Sequence, residues 1–506
     1  MFGKLRSLTP RFWVRVFLTA MMVACGIAYR IIFGEPSFPV DDAYITLHNA
    51  QVMHWGYDPN YAGIPALYGA TSAVHLMVMY LGLFLLKPLD AMYVVTWLGA
   101  LLYIHGIATL VFDAKGTALQ ALLISLIGVV CADTAFQILN GMETGLGLAA
   151  GMWTIVYFGR TGRTNRIIFG LLLGTIPFVR PEFIAFSGLC IVGTFAKSLF
   201  QGRPLGPSIA TTVKVASLAA VAMTPWIALY LVNTHHIIPP TLPAKRYYFA
   251  EETLGKSGQD AYVYAATTDF KRLLGGVWVA GYAMVFSYIG IIGRVFFSVF
   301  LDGYRRMYPV ELTSYGHRYL YIWVPCLMIG LTNITRWKNY KVVNLLFAYL
   351  LWSALMHVKD ESYGTFQSYR AACRNTDVEL VGVADWCNQN LPKDSLIVIH
   401  DAGFFSYATK FHLIDLVGLK TPYCVERHKR WTWHNGDPGR RLAVSEIIKH
   451  YRPQYAVFLM NWTSGFKLAE GIRMAGYEPV VIRSGVYCVY RLDKMKTSPE
   501  GGPPAG

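Results

Sequence analysis

Long apolar stretches fill roughly the first 358 residues, and short alternating ones follow. Apolar runs lie near 12–33, 91–112, 117–133, 144–159, 166–179, 183–200, 208–232, 273–300, 319–335 and 341–357. Most approach the ~20 residues that a helix needs to cross ~30 Å of hydrocarbon. The run Val74–Leu86 is too short and reads as an amphipathic or re-entrant helix on one face of the membrane. Beyond residue 358 the period changes. Strands are expected at Leu396–His400, Phe411–Val417, Tyr455–Met460, Val480–Arg483 and Val486–Arg491, with helices at Val444–His450 and Phe466–Ala475. The fold class is a polytopic α-helical membrane protein, residues 1–358, carrying a C-terminal soluble α/β domain, residues 359–496. A first outer loop spans 34–90, and the Pro/Gly-rich tail 497–506 reads as disordered.

Composition supports this division. Apolar residues make up 54% and charged residues 15% of the chain, against ~25% charged in soluble proteins, which excludes a disordered chain and argues against a cytosolic enzyme. The first 358 positions hold 41 charged residues and the last 148 hold 34, so only the C-terminal part has a soluble protein's charge density. The net charge of +15 does not call for nucleic acid, since much of it lies in short basic loops that orient helices. Lys4, Arg6, Arg11 and Arg15 put the N-terminus in the cytoplasm, with 12–33 as an uncleaved anchor. Arg160, Arg163 and Arg166, then Lys197 and Arg203, then Arg336, Lys338 and Lys341 mark further cytoplasmic loops. Parity fails near 273–300. One crossing there leaves Arg336 outside, and two do not fit in 28 residues. Cys373, Cys387, Cys424 and Cys488 allow three disulfide pairings in an oxidising compartment, or remain free buried thiols.

Candidate chemistry gathers where the chain emerges on the outer face. Asp41 and Asp42 are adjacent acids just past the first span: either a hydrated helix start or a base and a cation site. His54, Tyr68 and Thr71 lie among aromatics that suit either sugar contact or an interfacial belt. Glu143 opens an apolar run, and Arg180-Pro181-Glu182 sits between two. Pro239-Pro240-Thr241-Leu242-Pro243-Ala244-Lys245-Arg246 presents two cations on the face where the orientation rule places few, which suits a phosphate or lipid snorkelling. His317 and Arg318 precede another run. Asp401 ends a strand, at a common site position or in a plain turn. The sequence contains no P-loop, GxGxxG, HExxH or CxxC.

Together these segments resemble the GT-C superfamily of polytopic glycosyltransferases that use polyprenyl-phosphate sugars, and within it the cell-wall arabinofuranosyltransferase branch. Asp41-Asp42-Ala43-Tyr44-Ile45 is similar to that branch's first-loop motif, and Gly69-Ala70-Thr71-Ser72 to a later element of the same loop. Gly141-Met142-Glu143-Thr144, Arg180-Pro181-Glu182 and His317-Arg318-Tyr319 resemble further elements, and Pro240–Lys245 resembles another, with its Asn shifted or lost. Asp401-Ala402-Gly403 and Asp415-Leu416-Val417-Gly418-Leu419 match motifs of the soluble domain. Two departures, Tyr68 for a usual Glu and Ala73 for a usual Pro, bear on the sugar more than on the reaction. The resemblance implies about 10–12 crossings and a C-terminal domain in the periplasm or outside the cell. It also implies an inner-membrane enzyme that transfers a glycosyl group, such as arabinofuranosyl, with inversion, from a polyprenyl phosphate to a glycan or lipid-linked acceptor. Asp41 is then the expected base and Asp42 its orienting partner. Lys245, Arg246, His317 and Arg318 would bind the donor phosphate, and His54, Tyr68, Thr71, Glu143, Arg180, Glu182 and Asp401 the sugar or acceptor. No cofactor is called for, and a divalent cation beside the acids is left open. A transporter or flippase of a lipid-linked saccharide is the alternative.

Overall fold

The computed structural model describes residues 9–130, 134–249, 324–337, 339–360 and 366–495. The run at 273–300, its crossing count, and His317 and Arg318 lie outside the described residues.

Helices appear where the apolar runs predict them. With two helices outside those runs, α2 and α10, and the one-turn helix Thr134–Leu139 left unlabelled, the order is α1 Pro10–Phe33, α2 Asp41–Trp55, α3 Ala73–Gly82, α4 Pro88–Asp113, α5 Ala118–Val130, α6 Thr144–Gly159, α7 Arg163–Thr175, α8 Phe183–Phe200, α9 Leu205–Thr234, α10 Thr241–Tyr248, α11 Val324–Ile334 and α12 Tyr340–Asp360. Among the described residues α1, α4, α8 and α9 are long and apolar enough to cross a membrane. The run expected at 166–179 is divided, α7 passing into a 3-10 turn at Ile176–Phe178 around Pro177, which ends the regular ladder because proline lacks the N–H. The short run near 74–86 is the ten-residue α3, started by the Ser72 hydroxyl accepting from His75 N–H.

The helices pack around Leu18, Ile104, Ile107, Val111, Ile124, Met152, Met328 and Phe347. Helices α4 and α6 meet through small residues. A Cβ on Gly99 would lie 2.9 Å from the Gly145 carbonyl carbon, so these backbones approach as closely as small residues permit in membrane packing. Exposed apolar side chains such as Val221, Val232 and Ile31 cover the outer faces of the long helices, as a lipid-facing surface requires.

The C-terminal part is a five-stranded mixed sheet, β1 Leu396–Ile399, β2 His412–Asp415, β3 Tyr455–Leu459, β4 Tyr477–Arg483 and β5 Tyr487–Lys494, in the order β2-β1-β3-β5-β4. Strands β2, β1 and β3 are parallel, whereas β5 runs antiparallel to both β3 and β4. The short helix α13 Phe404–Ala408 connects β1 to β2, and α14 Pro422–Arg430 and α15 Thr432–Tyr451 connect β2 to β3. Cys373, Cys387, Cys424 and Cys488 are free and buried.

This region does not stand apart from the helices. Tyr44 and Leu47 of α2 and Leu76 and Met79 of α3 form one apolar core with Ile397, Phe404, Phe405 and Val489. The mouth of the helical region is therefore walled by the sheet.

Candidate functional site

Asp41 and Asp42 are the first two residues of α2, following Val40, whose side chain makes no cap. Carboxylates in a first turn complement the helix dipole. Successive helical residues point about 100° apart, and the two acids face different partners. Asp41 accepts from the backbone N–H of Gly403 at 3.0 Å and of Phe404 at 2.7 Å. Asp42 pairs with the Lys245 ammonium at 3.1 Å.

Asp42 and Lys245 line a narrow cleft with Thr46, Gly69, Thr71, Glu143, Thr241 and Leu419. Its free volume is about 20 Å³, room for little more than one water. The Thr71 and Thr241 hydroxyls bond across it at 3.1 Å. Glu143 closes the floor. Arg180 lies between Glu143, at 3.2 Å, and Glu182, at 2.7 Å, and all three are almost fully buried. Burying unpaired charge is costly, and the two motifs that looked separate in sequence, Gly-x-Glu-Thr and Arg-Pro-Glu, supply one ion cluster.

The sheet contributes the roof. Asp401, at the end of β1, has His400 at 3.1 Å and accepts from the Tyr487 hydroxyl. Burial and the neighbouring Asp401 charge push the Asp41 carboxyl well above the ordinary carboxylate range, and the two N–H donors only partly offset them. Burial also acts upward on Asp401, but His400 and the Tyr487 hydroxyl outweigh it and hold that carboxyl low. The chain can come this close only at a glycine: a Cβ on Gly403 would lie 2.0 Å from the Asp41 carbonyl oxygen. That explains the Asp-Ala-Gly order at the end of β1.

The turn after β2 explains the second motif of this region. The buried Asp415 carboxylate accepts from the N–H of Val417 at 3.0 Å and of Lys420 at 2.8 Å, and burial pushes its pKa up to about 6. Gly418 takes φ +95° against Val425, in the left-handed region that suits glycine. The turn delivers Leu419 to the cleft wall and Lys420 against the segment that follows α1. There the fully buried ammonium meets Asp58 at 3.0 Å and the Asn49 side-chain oxygen at 2.8 Å. Asp58 also accepts from the N–H of Asn60 and Tyr61 and contacts His48 at 3.3 Å. Burial acts upward on Asp58, but the His48 hydrogen bond and the Lys420 charge outweigh it and hold that carboxyl well below its usual range. Sequence reasoning missed Lys420. The available signal was a lysine placed directly after an almost wholly apolar run, Leu413–Leu419.

Asp42, Thr71, Glu143 and Lys245 share the cleft, Asp41 and Asp401 adjoin it, and Arg180 and Glu182 buttress it. Tyr68 is half-buried on the adjoining loop, its ring near His236 and its carbonyl accepting from Asn49. Two expected residues lie elsewhere. Arg246 is exposed, its guanidinium 4.8 Å over the Trp433 ring. His54, in the last turn of α2, rests edge-on against Phe84. Helix geometry accounts for both: Arg246 is one step around from Lys245, and His54 is a dozen residues, roughly 18 Å, from Asp42. Among the described residues no cluster of His, Cys, Asp or Glu is arranged to hold a metal ion.

Residues 367–493 match a family model described as a domain of unknown function (DUF8728). No curated protein matches the sequence. Among solved structures, ArnT from Cupriavidus metallidurans, bound to undecaprenyl phosphate, is similar at a TM-score of 0.54 and 12% identity, with 93% of this chain and 97% of that one covered. The Archaeoglobus fulgidus oligosaccharyltransferase scores 0.45 at 11% identity, covering 91% of this chain and 71% of its own. The arabinofuranosyltransferase AftD from Mycobacteria scores 0.44 at 13%, covering 97% and 40%. The likeness to ArnT is one of fold, and it agrees with the polytopic GT-C architecture that the sequence motifs implied.

Proposed function

We propose that the protein is a membrane glycosyltransferase that moves a sugar from a polyprenyl phosphate to a hydroxyl of a glycan or lipid-linked acceptor, with inversion at the anomeric carbon. The observation that carries this reading is the Asp42–Lys245 pair in a cleft at the mouth of the helices, 3.1 Å apart. The ArnT fold, solved with undecaprenyl phosphate bound, supports it by analogy.

The chemistry needs a base and a cation. The acceptor oxygen attacks the anomeric carbon, the bond from that carbon to the phosphate oxygen breaks, and its electron pair leaves with the phosphate. Lys245 neutralises the leaving group, which needs charge stabilisation more than a proton. Asp42 takes the acceptor's proton. A donor phosphate would compete with Asp42 for Lys245 as it enters. The narrowness of the cleft means that its walls, Leu419 among them, part on entry. Glu143, held by Arg180, would accept from sugar hydroxyls.

A second assignment makes Asp41 the base, as its order in the pair suggested, and its raised pKa favours that. The amides of Gly403 and Phe404 already take both of its oxygens, so Asp42 is the better placed. The outer face, the periplasmic or extracellular side, remains the proposed location of the cleft, with the N-terminus in the cytoplasm. Transport of a lipid-linked saccharide is less well supported, because transporters place their ionisable residues near mid-membrane whereas these lie at helix ends beneath a sheet. The test is to supply membranes containing the protein with a panel of radiolabelled polyprenyl-phosphate sugars. Consumption of one donor, with label appearing in a glycan or lipid-linked product, is expected. Label crossing the bilayer on an intact donor would instead show transport.

A further inference from the structure

At the other end of α6 from Glu143, about 24 Å along the helix axis, lies a second cavity, of about 650 Å³. It is bounded by the start of α1, the ends of α4 and α6, the start of α7 and the end of α11. Four cations line it, Arg11, Lys115, Arg160 and Arg336, with one carboxylate, Asp113. Asp113 holds Arg160 at 2.7 Å and Arg11 at 3.8 Å. Lys115 and Arg336 are exposed at the rim. The inner wall is apolar, including Leu110 and Ile329, and the exposed Trp337 stands where an interfacial aromatic anchors a membrane protein.

Basic residues that only orient helices need an excess in their loops and no shared cavity. Here four from separate segments converge on one cavity that also has an apolar wall. We propose that this cavity binds a phosphate group, as the headgroup of an acidic lipid or as a soluble phosphate ester, on the membrane face opposite the Asp42–Lys245 cleft. Guanidinium and ammonium groups supply the charge-assisted donors that a phosphate requires. The Leu110 and Ile329 wall would take the glycerol and first methylenes of a lipid.

The test uses the full chain in nanodiscs, exchanged against phosphatidylglycerol and phosphatidylcholine vesicles, with retained lipid counted by native mass spectrometry. The wild type should retain phosphatidylglycerol over phosphatidylcholine. Lys115→Gln/Arg336→Gln, which leaves the Asp113 pairs intact, should reduce that preference roughly tenfold or more. Arg163→Gln/Arg166→Gln, exposed on the first turn of α7 and outside the cavity lining, should leave it unchanged. A soluble arm adds sn-glycerol 3-phosphate. Displacement of phosphatidylglycerol assigns the site to the phosphate group alone, and retention assigns it to the intact lipid. Equal retention of both lipids by the wild type, or equal losses in the two double variants, overturns the proposal.

Discussion

The carboxylate of Asp41 accepts the backbone N–H of Gly403 at 3.0 Å, 362 positions away in sequence. This bond and its neighbour from Phe404 join α2 to the start of α13, so one of the paired acids holds the sheet over the cleft while the other faces into it. A side chain at 403 has no room, since its Cβ would fall 2.0 Å from the Asp41 carbonyl oxygen.

Gly403→Ala should therefore separate roof from cleft without preventing membrane insertion. The expected outcome is faster proteolysis within residues 366–495 and at least a tenfold loss of transfer. Wild-type proteolysis and activity would contradict the docking role.

Lys420 tests the second contact between the sheet and the segment that follows α1. Lys420→Met leaves Asp58 buried and uncompensated, and losing one partner of a buried pair costs about 3–5 kcal/mol. Thermal unfolding should show a large fall in Tm, and adding Asp58→Asn should recover part of it. A Lys420→Met protein as stable as the wild type would show that the pair contributes nothing.

Asp415 gives a pH dependence with a definite sign. Its carboxyl is raised from an ordinary value near 4 to about 6 in the folded protein, so the folded state binds the proton more tightly than the unfolded chain. Its contribution to stability is most favourable below the unfolded pKa, falls as pH rises from about 4 to about 6, and is flat above, a change of up to roughly 3 kcal/mol. Asp415→Asn removes that titration. The difference in Tm between wild type and variant should change across this interval and stay constant from pH 7 to 8. A constant difference throughout would refute the assignment.

The two adjacent cations should separate functionally. Lys245→Ala should raise the donor KM tenfold or more. Arg246→Ala, which removes an exposed contact with Trp433 worth ~0.5–1 kcal/mol, should change it less than about fivefold. Equal effects on donor KM would place both residues at the phosphate.

Much of this organisation was legible in the sequence because its cause is local. The apolar runs at 144–159 and 183–200 coincide with α6 and α8, since a segment with apolar surroundings on every side needs an apolar composition along its whole length. The strand at Leu396–Ile399 was legible for the same reason. What stayed hidden was tertiary direction. Nothing in Asp41-Asp42 or Lys245-Arg246 says which member faces the cleft, because that depends on how α2 and α10 are rotated against the sheet. Glu143 and Arg180 stand at the ends of different apolar runs, and only the packing of Gly147 in α6 against Arg180 and Phe183 makes them one cluster. Lys420 was overlooked because a lysine after a strand reads as solvent-exposed until Asp58 is brought to it from the first loop.

The central claim, sugar transfer at the Asp42–Lys245 cleft, is tested most directly by single-turnover transfer at saturating polyprenyl-phosphate sugar, comparing Asp42→Asn with wild type in the same membranes at matched expression. The account predicts that donor still binds and that transfer falls by a factor of 100 or more, in keeping with the loss of a general base. Transfer by Asp42→Asn at the wild-type rate would contradict it.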